Sequence, residues 1–188
     1  TTSALAFGGS PVPAATELWN GTNWVSQNTL NVGRSAGGGG GTASSAIYAG
    51  SNPGPQVASE EWELGYPVGA WATGGSLNTA RTNIANAGTQ TSALGFGGDP
   101  APTKAFTESY NGTNWTEVND LNTGRNTMGG SGASNTAALC FGGTISPAVT
   151  EIWNGTNWVE VNDLNTGRLY LSGTGTTTAS IAVGGEVP

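Results

Sequence analysis

Four arginines and four glutamates recur at fixed places and carry the most obvious chemistry in the chain: Arg34, Arg81, Arg125 and Arg168 with Glu17, Glu60, Glu108 and Glu151. A guanidinium meets a carboxylate in a planar, two-pronged, charge-assisted hydrogen bond, and a carboxylate beside a cation is also what acid/base catalysis uses. Catalysis needs one asymmetric constellation, whereas these eight residues are placed identically four times. The expected role is therefore structural: each arginine bridges between repeats to a carboxylate or to backbone carbonyls, with the repeated glutamate as the favoured partner.

The remaining inventory for catalysis is thin. Glu160 with Asp163, and Glu117 with Asp120, have the composition of a glycosidase carboxylate pair, but they too are repeat-equivalent and read as solvated edge residues. The chain has no histidine, which removes histidine general acids and bases, histidine-centred triads and histidine metal sites. Its one cysteine, Cys140, forms no intrachain disulfide and no thiolate cluster. Cys140 stands where Ala6 and Gly95 stand in other copies, so a buried small apolar residue is expected. The run from Gly37 to Gly41 lacks the Lys and Ser/Thr of a phosphate loop. Asn20-Gly21-Thr22, Asn111-Gly112-Thr113 and Asn154-Gly155-Thr156 fit the N-glycosylation pattern, but a hairpin turn accounts for all three. The reading is of a protein that is not an enzyme and needs no cofactor or metal.

Composition bounds the rest. The 188 residues carry a formal charge of −7, from twelve acids against five bases, which repels nucleic acid and anionic lipid. No apolar run approaches the roughly 18 residues that span a bilayer, so neither nucleic acid nor membrane insertion is expected. Thirty-two glycines would suit a disordered linker, but seven regularly spaced tryptophans belong to an ordered, turn-rich fold. A single domain over residues 1–188 follows. With Thr1 at its start and no leader pattern, the chain reads as processed, excised or one part of a whole.

The elements that must position the arginines and glutamates are read from the repeat itself. Its clearest copy runs Thr150-Glu151-Ile152-Trp153-Asn154-Gly155-Thr156-Asn157-Trp158 and on through Leu164 to Arg168. Asn-Gly between two short alternating aromatic segments predicts an antiparallel hairpin closed by a type I′ turn. The second arms begin at Trp24, Trp71, Trp115 and Trp158, which are expected to pack between repeats. Beyond each arginine lies a glycine strand (35–41, 82–88, 126–132, 169–175), ending in a glycine suited to φ > 0. A strand closing on Gly-Gly or its equivalent follows or opens each unit (3–9, 45–51, 92–98, 137–143, 179–185). The second copy departs from the pattern, with Ser51 for the second Gly and a longer turn over 65–70.

The repeats run approximately 1–34, 35–81, 82–125, 126–168 and, in part, 169–188. Four short strands per period of 42 to 48 residues point to an all-β fold, a β-propeller of four-stranded blades with the glycine strand innermost. The chain holds about four blades, alone or within a larger ring or assembly. The Gly-Gly strand occurs five times and the other three strands four times each. One Gly-Gly strand is therefore surplus to a closed ring of four, and the open ends are expected to continue into further blades or to dock on another copy.

A strand ending in Gly-Gly, an aromatic on the first hairpin arm, a Trp five residues on and then Leu-x-x-x-Arg resemble the kelch repeat, over the whole chain. The wording Asn-Gly-Thr-Asn-Trp-Thr-Glu-Val-Asn-Asp-Leu-Asn-Thr-Gly-Arg also resembles kelch-like proteins of marine bacteriophages and their hosts. Galactose oxidase shows that kelch repeats can carry an enzyme, but that implies copper held by histidine and a cysteine-linked tyrosine, which this chain cannot supply. The resemblance implies a binding or structural module, extracellular or in a virion: a fibre or tail component that meets a host-surface glycan or protein. The variable loops after the Gly pairs are the candidate binding elements: Pro11, Val12 and Pro13; Asn52, Pro53 and Pro55; Asp99, Pro100 and Lys104; Ile145 and Pro147. The alternative is a purely structural subunit of such an assembly, joined to copies of itself or to other proteins through its terminal strands.

Overall fold

The computed structural model describes residues 3–11, 14–54, 56–65, 68–100 and 105–188. It is all-β, with seventeen strands in five antiparallel sheets. The first sheet has three strands: β1 (Ala4–Phe7), β2 (Thr16–Trp19) and β3 (Trp24–Ser26). Three four-stranded sheets follow: β4 (Gly38–Gly41) to β7 (Ala70–Thr73) through β5 (Ser45–Ala49) and β6 (Ser59–Glu63); β8 (Ala85–Thr89) to β11 (Trp115–Val118) through β9 (Ser92–Phe96) and β10 (Thr107–Tyr110); and β12 (Gly129–Ser134) to β15 (Trp158–Val161) through β13 (Ala137–Phe141) and β14 (Thr150–Trp153). A two-stranded sheet, β16 (Ser172–Thr176) with β17 (Ala179–Val183), ends the described chain. No helix long and apolar enough to cross a membrane occurs among these residues.

The strand order matches the repeat, but two local expectations are corrected. The Asn-Gly turns are not two-residue type I′ loops. Trp19 pairs with Trp24 across residues 20–23, and of the residues there only Gly21 has positive φ (99°). The Asn20 carboxamide oxygen accepts the N–H groups of Thr22 and Asn23, each at 2.9 Å, so a side chain closes the turn in place of a second left-handed residue. The glycine strands also begin later than the repeat suggested, because the three residues after each arginine form a bend, with a single bridge after Arg34, Arg81 and Arg168, rather than a ladder.

Glycine in the inner strands is explained by close approach. A Cβ on Gly39 would lie 2.8 Å from the Phe7 ring, and one on Gly130 would lie 2.7 Å from the Asn86 carbonyl oxygen of the neighbouring inner strand. β4, β8, β12 and β16 accordingly lie close enough to line one narrow passage of 210 Å³, at a spacing that only small residues allow. The glycine that ends each of these strands or lies near its end (Gly41, Gly88, Gly132, Gly175) does take positive φ.

The core lies between successive sheets. Trp71 stands edge-on to Phe7 of the preceding sheet at 4.9 Å, and Trp158 edge-on to Phe96 at 4.9 Å. Their indole N–H groups donate to Thr16 (2.9 Å) and Thr107 (3.0 Å). Trp115 packs with Ile47, Ala49 and Tyr110, but Ser59 replaces the threonine and bonds Gly75 instead, leaving the Trp115 N–H without a partner. Trp24 departs from the expected packing. It is 50% exposed, with no sheet among the described residues packed against it as one packs against Trp71 and Trp158.

Candidate functional site

Three of the four arginines make the expected ion pair, each with the glutamate of the following hairpin. Arg34 pairs with Glu60, Arg81 with Glu108 at 2.7 Å and Arg125 with Glu151 at 2.9 Å. The arginine immediately precedes an inner strand, and the glutamate lies on the third strand of that same sheet. The pair thus closes within one sheet while joining the last residue of one repeat to the repeat that follows. The link between sheets is made by the glutamate's second oxygen. Glu60, Glu108 and Glu151 accept the backbone N–H of Asn31, Asn78 and Asn122 on the segment arriving from the preceding sheet, at 2.7, 2.6 and 2.8 Å. The same asparagine amides donate to the carbonyls of Trp71, Trp115 and Trp158. The sequence reading missed these asparagines, although the dipeptide Leu-Asn at 30, 77, 121 and 164 was a visible signal.

Side-chain exposures of 0 to 3% close the pairs to any substrate, so their geometry is that of a staple. Burial pulls the Arg81 guanidinium below its ordinary value, opposed by the Glu108 charge and hydrogen bond. The fourth set is split. Arg168 reaches the Gly184 carbonyl at 2.9 Å and no carboxylate, while Glu17 is exposed and pairs with no arginine among the described residues. Glu117, Asp120, Glu160 and Asp163 are exposed, and the two aspartates cap Thr107 and Thr150 N–H groups at 3.3 Å. Among the described residues no group of three or more acids or cysteines is placed to hold a metal ion.

Cys140 is buried as expected, with Arg125 Nη2 3.4 Å from its sulfur. Burial pushes its thiol up to about 12 against the opposing pull of Arg125. Burial, and donation of its hydroxyl to the Glu61 carboxylate, likewise raise Tyr110 to about 12. Both groups keep their protons in the folded chain at a pH where the unfolded chain loses them. Their contribution to stability is complete below about pH 9 and declines as pH rises towards 12. The denaturant midpoint is expected to be flat from pH 7 to 8.5 and to fall above pH 9, and Cys140 is expected to resist thiol reagents at pH 8 until the chain unfolds. A thiol that reacts at the rate of a free cysteine in the native state contradicts this placement.

The variable loops gather at one end of the sheets. Each follows the strand that closes on Gly-Gly, and bridges Ser35–Asn52, Thr82–Asp99 and Leu169–Glu186 tie the post-arginine bends to these loops. The Asn-Gly turns lie at the opposite strand ends. Ser10 and Pro11 from one loop and Asn52 and Pro53 from the next face Gly33 and Ser35 across a cleft of 260 Å³. Asp99 is half-buried and accepts from the Asn83 amide at 3.2 Å and from the Asn126 amide. Pro100 is exposed, and Ile145 is 71% exposed with φ 73°. Pro147 is half-buried, its carbonyl taking the Arg168 N–H at 2.8 Å. Val12, Pro13, Pro55 and Lys104 lie outside the described residues.

One feature of this face had no sequence signal. Ala36, Asn83, Thr127 and Tyr170, each two residues past an arginine, have φ of 54°, 55°, 56° and 55°. They line one cleft of 260 Å³, joined by Asn83 N–H to the Ala36 carbonyl (2.6 Å) and Tyr170 N–H to the Thr127 carbonyl (2.8 Å). Four different residue types share one left-handed backbone, and only Asn favours it. Tertiary bonds thus override local preference here.

No family model matches this chain, and no curated protein matches it.

Proposed function

We propose that the chain is a kelch-like β-propeller, or a segment of one, that serves as a non-enzymatic binding module. Its variable loops meet a surface glycan or protein from an extracellular or virion setting such as a phage fibre or tail component. One observation carries the reading: sheets built on one repeat hold loops of different sequence at one end and, in three of the four hairpins, the same Asn-Gly turn at the other, which is how a rigid scaffold presents a recognition surface. The cleft between Pro11 and Pro53 and the rim carrying exposed Tyr170 supply the mixture of polar groups and aromatic surface that sugars engage. Array binding to immobilised glycans is the test. Transplanting residues 144–147 in place of 10–13 is expected to abolish binding without changing the melting temperature; binding indifferent to every loop exchange contradicts the reading.

A purely structural subunit, joined to its neighbours through terminal strands, is the second reading. It is favoured by β17, whose Ile181 and Val183 are 61% and 56% exposed. Assemblies that form without any ligand, from a chain that binds no glycan, would select it.

A further inference from the structure

β1 differs from its four counterparts in lacking an inner strand. β5, β9, β13 and β17 each pair with an inner strand of mostly small residues, whereas among the described residues β1 pairs with β2 alone. A cleft of 430 Å³ runs along its free edge, between Ala4, Leu5 and Phe7 on one side and Gly39, Gly40 and Gly41 of β4 on the other. Unpaired N–H and C=O groups at such an edge form a template for an added strand. The glycine wall sets its chemistry, since only a backbone with small side chains fits against it. A second, independent feature lies beside the cleft. In each complete sheet the third-strand glutamate takes the arginine that leads into the inner strand, and Glu17 on β2 lacks that arginine.

We propose that this edge is a two-point receptor for residues 164–176 of a second copy of the chain, with Arg168 seated on Glu17 and the glycine strand β16 laid along β1. The segment matches both requirements: an arginine without a carboxylate, followed by Ser172-Gly173-Thr174-Gly175-Thr176. Within its own molecule Thr174 stands on the far wall of the cleft, with β16 held in a hairpin by β17 rather than paired to β1. β17 is the strand that gives way on exchange. Its Ile181-Ala182-Val183-Gly184-Gly185 is equivalent to Leu5-Ala6-Phe7-Gly8-Gly9 of β1, and most of it is exposed. Gly8 then offers Arg168 the carbonyl that Gly184 offers now, as Gly97 does for Arg81. The Ala15 carbonyl stands where Phe106 meets Arg81. The exchange also gives the exposed Trp24 ring a neighbouring sheet.

The inference deepens the second reading, that terminal strands join molecules, and is independent of what the loops bind. Sedimentation velocity of residues 1–188 over a hundredfold range of concentration is expected to show association above the 18.8 kDa monomer. Glu17→Arg and Arg168→Glu, each at a site that makes no ion pair among the described residues, should each weaken association at least tenfold while leaving the circular dichroism of dilute protein unchanged. An equimolar mixture of the two variants should recover it, because every junction then joins opposite charges. A synthetic peptide of residues 164–176 should compete with association and quench or shift Trp24 emission. A monomer at every concentration overturns both this inference and the assembly reading. Association that ignores both charge reversals, or variants that fail to rescue each other, overturns this site while leaving assembly by another route.

Discussion

Replacing Glu108 with alanine is expected to destabilise the fold by about 3–5 kcal/mol, the cost of leaving a buried charge without its partner. Arg81 is 0% exposed, and its Nε already lacks a partner. Without Glu108 the guanidinium keeps only its bonds to the Gly97 and Phe106 carbonyls, at 2.9 and 2.7 Å. The Asn78 backbone N–H loses its acceptor at the same time and its amide keeps only the Trp115 carbonyl, which loosens the segment arriving from the preceding sheet. For a chain of this length the loss corresponds to a fall in melting temperature on the order of 10 °C. Glu17→Ala is the control. Glu17 occupies the same repeat position but is exposed and unpaired within the molecule, so at monomer concentrations the change should stay within about 0.5 kcal/mol. Equal shifts for the two variants would refute the assignment of stability to the closed pairs.

Much of this architecture is legible because the repeat states it several times. Glycine at 38–41 cannot be read as a strand from propensity, yet glycine or another small residue returns at 85, 87 and 88, 129–132 and 172–175 in a fixed place between arginine and the Gly-Gly strand, which marks a position where backbones approach closely. The partnership of Arg81 with Glu108 is legible for a similar reason, since two buried charges of opposite sign repeated in step are most simply satisfied by each other. Its topology was less so. Which glutamate an arginine meets depends on how the connection folds back over its own sheet, and spacing alone does not reveal that. The left-handed backbone at Ala36, Asn83, Thr127 and Tyr170 left no trace at all, because neighbouring repeats impose it through hydrogen bonds such as Tyr170 N–H to Thr127. The Asn20 turn was misread for an identifiable reason: Asn-Gly is a strong type I′ signal, but asparagine can also close a longer turn with its own carboxamide. The loops at 10–13 and 99–104 stand out in the sequence because they vary where all else repeats, and the structure places their described residues at one end of the sheets.

Position in the array, rather than residue type, decides what a tryptophan contributes. Trp158→Ala is expected to cost about 3–5 kcal/mol, as for other buried large aromatics. The ring is 4% exposed, lies 4.9 Å from Phe96 and 5.5 Å from Trp153, and donates its N–H to Thr107 in the sheet before it. Removing it opens a cavity between two sheets and leaves the Thr107 hydroxyl without that donor. Trp24 opens the equivalent strand of the first sheet, but its ring is 50% exposed and meets Trp19 of its own hairpin at 5.7 Å. With its ring half in solvent and no described sheet packed on it, there is little cavity to create, so Trp24→Ala should cost about 1 kcal/mol or less at monomer concentrations. Thermal unfolding of the two variants measures the difference directly. Near-equal losses would mean that the hairpin aromatics stabilise their own sheets and that the contacts between sheets add little.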